Sequence, residues 1–171
     1  MAVFTEVSPL EASGLMSVLG LGSVQSLQGC ASGIENTNYF VSTDQGDYVL
    51  TLFERLKFEQ LPFYLELMRH LAERGIPVPA PQPDAQGRIL HTLNGKPAAV
   101  VTRLKGRNQL NPQATDCAQV GAMLARMHLA GLDYPAQQPN LRGLTWWTET
   151  IPVVAPYLND AQRDLIQSEL T

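Results

Sequence analysis

A chain of 171 residues with an apolar share of 44% is long enough to bury a core, as one ordinary domain or two small lobes. Its formal charge is only −4 and its Lys and Arg residues are scattered, so the basic footprint of a nucleic-acid binder is missing. No apolar run approaches the roughly 20 residues needed to span a bilayer, and Cys30 and Cys117, far apart and in no CxxC pair, argue against a disulfide framework or a zinc site.

The opening "MAVFTEVSPLEASG" has no basic residue ahead of an apolar run and carries Glu6 and Glu11, unlike a secretory signal, so a soluble, cytoplasmic protein is expected. Ser8-Pro9-Leu10-Glu11 predicts a helix start, with Ser8 as cap, Pro9 in the first turn and Glu11 at the capping-box position. Gly20-Leu21-Gly22-Ser23 lacks the flanking residues of a phosphate loop and is read as the stop of that helix. Strands are predicted over 24–28 and 38–43, then a turn at Asp44-Gln45-Gly46-Asp47 and a third strand in "YVLTLF".

Leu61, Leu65, Met68 and Ala72 lie on one face of a helix predicted over 59–74, ended by Gly75 and Pro77, with "IPVPAP" as an extended connector. Residues 88–93 and 96–104 read as a hairpin around Asn94-Gly95, a dipeptide that easily takes positive φ. From Asn111-Pro112 the character becomes helical. Ala114, Cys117, Gly121, Leu124 and His128 recur at helical spacing, which predicts Cys117 and His128 to be packed. Helical pieces are expected in "TWWTETIPVVAPYL" and a capped helix in "NDAQRDLIQSEL". Of Trp146 and Trp147, adjacent on a helix, at most one can face a pocket.

Taken together this is an α+β chain: a five-stranded antiparallel sheet with a helix between its third and fourth strands, then helices. A strand, a glycine-containing turn and two further strands is the arrangement with which kinase-like enzymes roof the phosphates of ATP, and the linker at 102–105 would then present backbone groups to adenine. Gly29, Ser32 and Gly33, with Asn36 and Asn38 as side-chain donors, suit a phosphate-facing turn. By itself the pattern is more often that of an ordinary hairpin turn.

"GIENTNYFV", "YVLTLFE", "LPFYLELMRHLAERGIPVPAP", "LNGKPAAVVTRLKG" and "CAQVGAMLARMHLAG", in order from Gly33 to Gly131, resemble the homoserine kinases built on the protein-kinase-like fold of aminoglycoside phosphotransferases and choline kinases. The resemblance implies a nucleotide-binding N-lobe over 1–104, a hinge over 105–110 and the start of a helical substrate lobe over 111–171. It also implies ATP and Mg²⁺ as cofactors and L-homoserine as acceptor. Ser32, Gly33, Glu35, Asn36, Thr37, Asn38, Thr51, Arg103 and Leu104 are the implied nucleotide-binding residues.

Thr51 stands where many relatives carry a phosphate-binding lysine, which leaves neutralisation to the metal or to Arg55 or Lys57. Glu66 is the nearest helix carboxylate, about two residues out of register. The catalytic signature H-x-D-x-x-x-x-N begins at none of His70, His91 and His128, so no catalytic or metal-binding residue is expected within the chain. The expectation is an amino-terminal half, inactive alone and prone to self-association through uncovered apolar faces such as that of Ile151, Val153, Val154 and Leu158. Another small-molecule kinase, acting on choline, ethanolamine or an aminoglycoside, and a non-catalytic nucleotide-binding module are the competing readings.

Overall fold

The computed structural model describes residues 3–31 and 33–170. The chain divides into two compact units, Met1–Ala136 and Gln137–Thr171. Ser8 caps helix α1 (Pro9–Val18): the Glu11 N–H donates to Ser8 Oγ at 3.3 Å, and Ser8 N–H donates to Glu11 Oε2 at 2.7 Å. At the other end Gly20 takes φ 66°, its N–H donates to the Ser17 carbonyl at 3.1 Å, and Leu21 N–H donates to the Met16 carbonyl at 3.0 Å. These two bonds satisfy carbonyls that a helix end leaves open, so the Gly20–Ser23 stretch does act as a helix stop.

Gly22 is at φ 86°, and a Cβ there would lie 2.0 Å from Asp44 Oδ1, the atom that accepts from Ser23 N–H at 2.8 Å. Gly22→Ala should therefore cost about 1–2 kcal/mol for the left-handed backbone and also displace the Asp44 carboxylate. Gly20→Ala, with open space around it, should show the backbone cost alone. Urea titration of the two variants checks the order, and equal destabilisation would count against the Asp44 contact.

The sheet is antiparallel and ordered β1-β2-β3-β5-β4, from β1 (Val24–Gly29), β2 (Asn36–Thr43), β3 (Asp47–Phe53), β4 (His91–Leu93) and β5 (Lys96–Thr102). Helix α2 (Leu61–Glu73) is inserted between β3 and β4, as expected. Asn94 and Gly95 take φ 50° and 73° in the β4–β5 turn. The connector predicted at 76–81 does more than connect. Pro81 bridges to Val101, Gln82 N–H donates to the Val100 carbonyl at 2.8 Å, and Thr102 N–H donates to the Ala80 carbonyl at 3.0 Å. It thus continues the edge that three-residue β4 begins, which explains why β4 is so short.

Alternation along the strands sends Tyr39, Val41, Tyr48, Leu50, Leu52, Ala98 and Val100 to one face, where they pack on Ala12, Leu15 and Met16 of α1 and on Leu19 at its end. On the opposite face Ala99 packs with Leu61 and Leu65 of α2 and with Ile89. Residues between those positions on β2 and β3 are only half-buried. That uncovered part of the sheet is where a ligand can sit.

Helix α3 (Ala114–Gly131) has no buried residue, and Val120 and Leu129 are 67% and 68% exposed. The expected packing of Cys117 and His128 is thus not found: both are exposed. Helical spacing decides which side chains share a face, not whether another element covers it. In the second unit, α4 (Leu144–Val154) and α5 (Asp160–Glu169) are joined by a short 3-10 turn at Ala155–Tyr157. Asn159 caps α5, accepting from Gln162 N–H at 2.9 Å. Trp147 lines an apolar groove with Leu144, Ile151 and Leu165, while Trp146 meets Trp147 edge-on at 5.3 Å between ring centres. Among the described residues no helix is long and apolar enough to cross a membrane.

Candidate nucleotide site on the sheet

Register sets the half-buried β2 and β3 residues of the open face abreast of buried residues on β5. Asn38 pairs with Thr51 and Thr51 with Ala99, so these three lie abreast on β2, β3 and β5. One step along, about 7 Å at the rise of two strand residues, Phe40, Val49 and Val101 form a second row. The first row is polar on β2 and β3, the second apolar. Beyond the apolar row the Arg103 guanidinium lies 4.1 Å from the centre of the Phe40 ring.

The two ends of this face differ. At the polar end β2 emerges from the turn after Cys30, whose N–H donates to the Asn38 carbonyl at 2.8 Å. Gly33 in that turn takes φ 150°, where glycine is favoured. Gly33 is exposed, and Glu35 and Asn36 are half-buried. Ser32 lies outside the described residues. At the apolar end β5 runs out into Arg103 and Leu104. Arg103 N–H donates to the Asp47 carbonyl at 3.0 Å, while the Arg103 carbonyl and both backbone groups of Leu104 meet no backbone partner among the described residues. Leu104 itself is 49% exposed.

Asn38 and Thr51 are joined directly. The Thr51 hydroxyl donates to Asn38 Oδ1 at 2.7 Å, and Asn38 Nδ2 donates to the Asn36 carbonyl at 3.4 Å. Thr37, one residue away, points to the opposite face and is fully buried. Its Oγ1 accepts from Phe4 N–H at 2.8 Å and Thr5 N–H at 3.1 Å and donates to Glu54 Oε1 at 2.8 Å. A side chain so committed cannot also touch a ligand on the open face.

Glu54, behind the site on the core face, is a structural residue that sequence reasoning passed over. Its other oxygen lies 3.1 Å from Lys96 Nζ. Burial pushes the Glu54 carboxyl up, but hydrogen bonds from Thr5, Thr37 and Lys96 and the charge of Lys96 outweigh it, so its pKa is lowered. A signal existed: alternation from Leu50 and Leu52 puts Glu54 on the core face, where a carboxylate needs partners. Lys96 is thus held away from the open face, and Arg55 and Lys57 are exposed just beyond β3. Glu66 is paired with Arg69 on α2.

A second cluster ties the end of α3 to α2. His70 Nε2 lies 3.0 Å from the Ala130 carbonyl and 3.1 Å from Asp133 Oδ1, both acceptors, so this nitrogen carries the proton. Arg74 donates to Asp133 Oδ2 at 2.6 Å, and Tyr134 Oη donates to the Phe63 carbonyl at 3.0 Å. The Arg74 hydrogen bond, with the charges of Arg74 and His70, holds the Asp133 carboxyl below its ordinary range.

Residues 26–171 match the model of the phosphotransferase enzyme family. The chain belongs to this family. Among curated phosphotransferase relatives, it is 68% identical to the homoserine kinase of Polaromonas naphthalenivorans over 99% of this chain and 54% of that protein. It is 55% identical to the homoserine kinase of Janthinobacterium sp. over 99% of this chain and 53% of that protein. The chain therefore spans about half the length of the curated relatives it matches. Two solved phosphotransferase structures share the fold. One is a spectinomycin phosphotransferase in complex with ADP and spectinomycin, at TM-score 0.67 and 16% identity over 88% of this chain and 47% of that one. The other is an amicoumacin kinase in complex with AMP-PNP, Ca²⁺ and Ami, at TM-score 0.62 and 20% identity over 92% of this chain and 50% of that one. The sheet and inserted helix of this chain are thus the protein-kinase-like arrangement that the resemblance implied.

Proposed function

We propose that the protein to which this chain belongs transfers the γ-phosphoryl group of ATP to the side-chain hydroxyl of L-homoserine, and that residues 1–104 supply its nucleotide-binding lobe. The observation that carries this reading is the 68% identity to a homoserine kinase along nearly the whole chain. The open face of the sheet fits a nucleotide in its own right. The apolar row of Phe40, Val49 and Val101 suits a purine, with the Arg103 carbonyl and Leu104 N–H at its edge as acceptor and donor. The polar row and the turn holding Gly33, Glu35 and Asn36 suit the phosphates.

Residues 105–110 then act as the hinge, and 111–171 begin the lobe that binds the acceptor. Among the described residues no group of three His, Cys, Asp or Glu side chains is placed to hold a metal ion. Because the signature H-x-D-x-x-x-x-N begins at none of His70, His91 and His128, we assign the Mg²⁺ ligands and the base that accepts the hydroxyl proton to the remaining half of the protein's length. A cytoplasmic location is part of the same proposal.

Homoserine-dependent ADP release tests the proposal. The 171-residue chain alone should give none, whereas a chain continued to the length of its relatives should give steady turnover and O-phosphohomoserine by mass spectrometry. Turnover by the short chain would overturn the division of labour. A long chain that phosphorylates choline or an aminoglycoside but not homoserine would overturn the acceptor.

A further inference from the structure

We propose that Thr51 acts as a positioning residue: its hydroxyl fixes the orientation of the Asn38 carboxamide so that Asn38, a neutral donor, presents an Nδ2–H to a phosphate oxygen of the nucleotide. The proposal rests on the nucleotide reading of the open face and assigns the polar row a specific chemistry.

A carboxamide can lie either way round, and its neighbours decide which. The Asn36 carbonyl can only accept, so the end of the Asn38 amide facing it is the NH₂ group. The other end is then Oδ1, and it meets Thr51 Oγ1 at 2.7 Å, where only the hydroxyl hydrogen can complete the bond. Thr51 has a single hydroxyl hydrogen and has given it to Asn38. What remains on Oγ1 is lone pairs, which repel an anionic oxygen. Thr51 is therefore no substitute for a phosphate-binding cation by direct contact.

Asn38 is suited to that contact. Its Nδ2 carries two hydrogens. One makes the long 3.4 Å bond to Asn36, and the second has no protein partner among the described residues. The NH₂ end lies toward the Asn36 end of β2, the end at which the strand leaves the Gly33 turn. The Thr51 bond also polarises the amide, which strengthens the donor at its other end. Neither Lys96, which is held by Glu54, nor Arg103, which lies over Phe40 at the far end, takes this place, and Arg55 and Lys57 lie exposed just beyond β3.

The substitution that isolates this role is Thr51→Val, which keeps the shape and removes the hydroxyl. Without that donor the amide is free to turn its oxygen toward the anion. Loss of a hydrogen bond to a charged group predicts ATP binding weaker by about 10-fold or more, and Thr51→Ser should restore it. The experiment is an ATP titration followed by ¹H–¹⁵N NMR on the wild-type chain and both variants, with the Asn38 side-chain NH₂ pair as reporter. The expected result is a shift of that pair in the wild type and the serine variant, saturating at an ATP concentration about 10-fold higher or more in the valine variant.

Equal affinity in all three proteins, or serine failing to rescue, would overturn the proposal. Shifts at Phe40, Val49 and Arg103 without one at Asn38 in the wild type would overturn it while leaving the nucleotide site standing, and this readout needs no variant to fold. ATP that moves no resonance at all would overturn the nucleotide reading and this inference with it.

Discussion

Leu52→Ala is expected to destabilise the Met1–Ala136 unit by about 2–5 kcal/mol, the range for emptying a leucine site in a packed core. Leu52 is fully buried on β3, an inner strand of the sheet, and pairs with Thr37 on β2 and Ala98 on β5. It belongs to the cluster that joins Tyr39, Val41, Leu50 and Val100 to Ala12, Leu15 and Met16 of α1 and to Leu19 at its end. Strands tied on both sides cannot close around the void, so the upper half of the range applies. Leu10→Ala is the control, because Leu10 on the outer side of α1 is 83% exposed and should move stability by no more than about 0.5 kcal/mol. Urea midpoints at constant m-value read the difference. A Leu52 variant within about 1 kcal/mol of wild type would mean that the α1 side of the sheet is not its main core.

The second large effect is at Thr37. Thr37→Val preserves volume but strands the Phe4 and Thr5 amides and takes a hydrogen bond from Glu54. The two amides are only part-buried, so water can replace part of what they lose, and a loss of about 1–2 kcal/mol is expected. The effect should also carry a pH signature. Glu54 has its pKa lowered from 4.5 in the fold, because hydrogen bonds from Thr5, Thr37 and Lys96 outweigh its burial. A depressed carboxylate contributes stability that is present above the unfolded value and is lost as pH falls through the folded one. Removing Thr37 weakens that depression. The gap between wild type and variant should therefore be widest near neutral pH and narrow as pH drops below 4.5. A gap that does not change between pH 7 and pH 3 would show that Thr37 acts through packing alone.

Much of the fold was legible because it is written in short-range chemistry. Ser8 and Glu11 announce a capped helix three residues apart, and Asn94-Gly95 announces a tight turn. The β2 and β3 strands were placed within two residues, since their alternation runs unbroken through Tyr39, Val41, Tyr48, Leu50 and Leu52. The candidate site was legible only in part. Asn38 and Arg103 stood out by their neighbours in the chain, and the structure sets them along one open face. Thr37 stood out equally, yet strand period 2 turns it to the core. Glu54 was overlooked because its partners Thr37 and Lys96 are 17 and 42 positions away.

The misplaced packing of Cys117 and His128 has the same origin. Their spacing defines a helical face, and that part of the reading is independent of surroundings. What covers the face is a property of other elements, and in this chain α3 remains exposed along it. The sequence by itself determined element type and order, because caps, turns and hydrophobic period act between residues at most a few positions apart, whereas the strand predicted over 88–93 is cut to His91–Leu93 and that over 96–104 to Lys96–Thr102. Only the tertiary structure decided which way the Asn38 amide lies, what holds Glu54 and Lys96, and which faces stay open. Those outcomes depend on β2, β3 and β5 meeting in one register, and register is a property of three strands together.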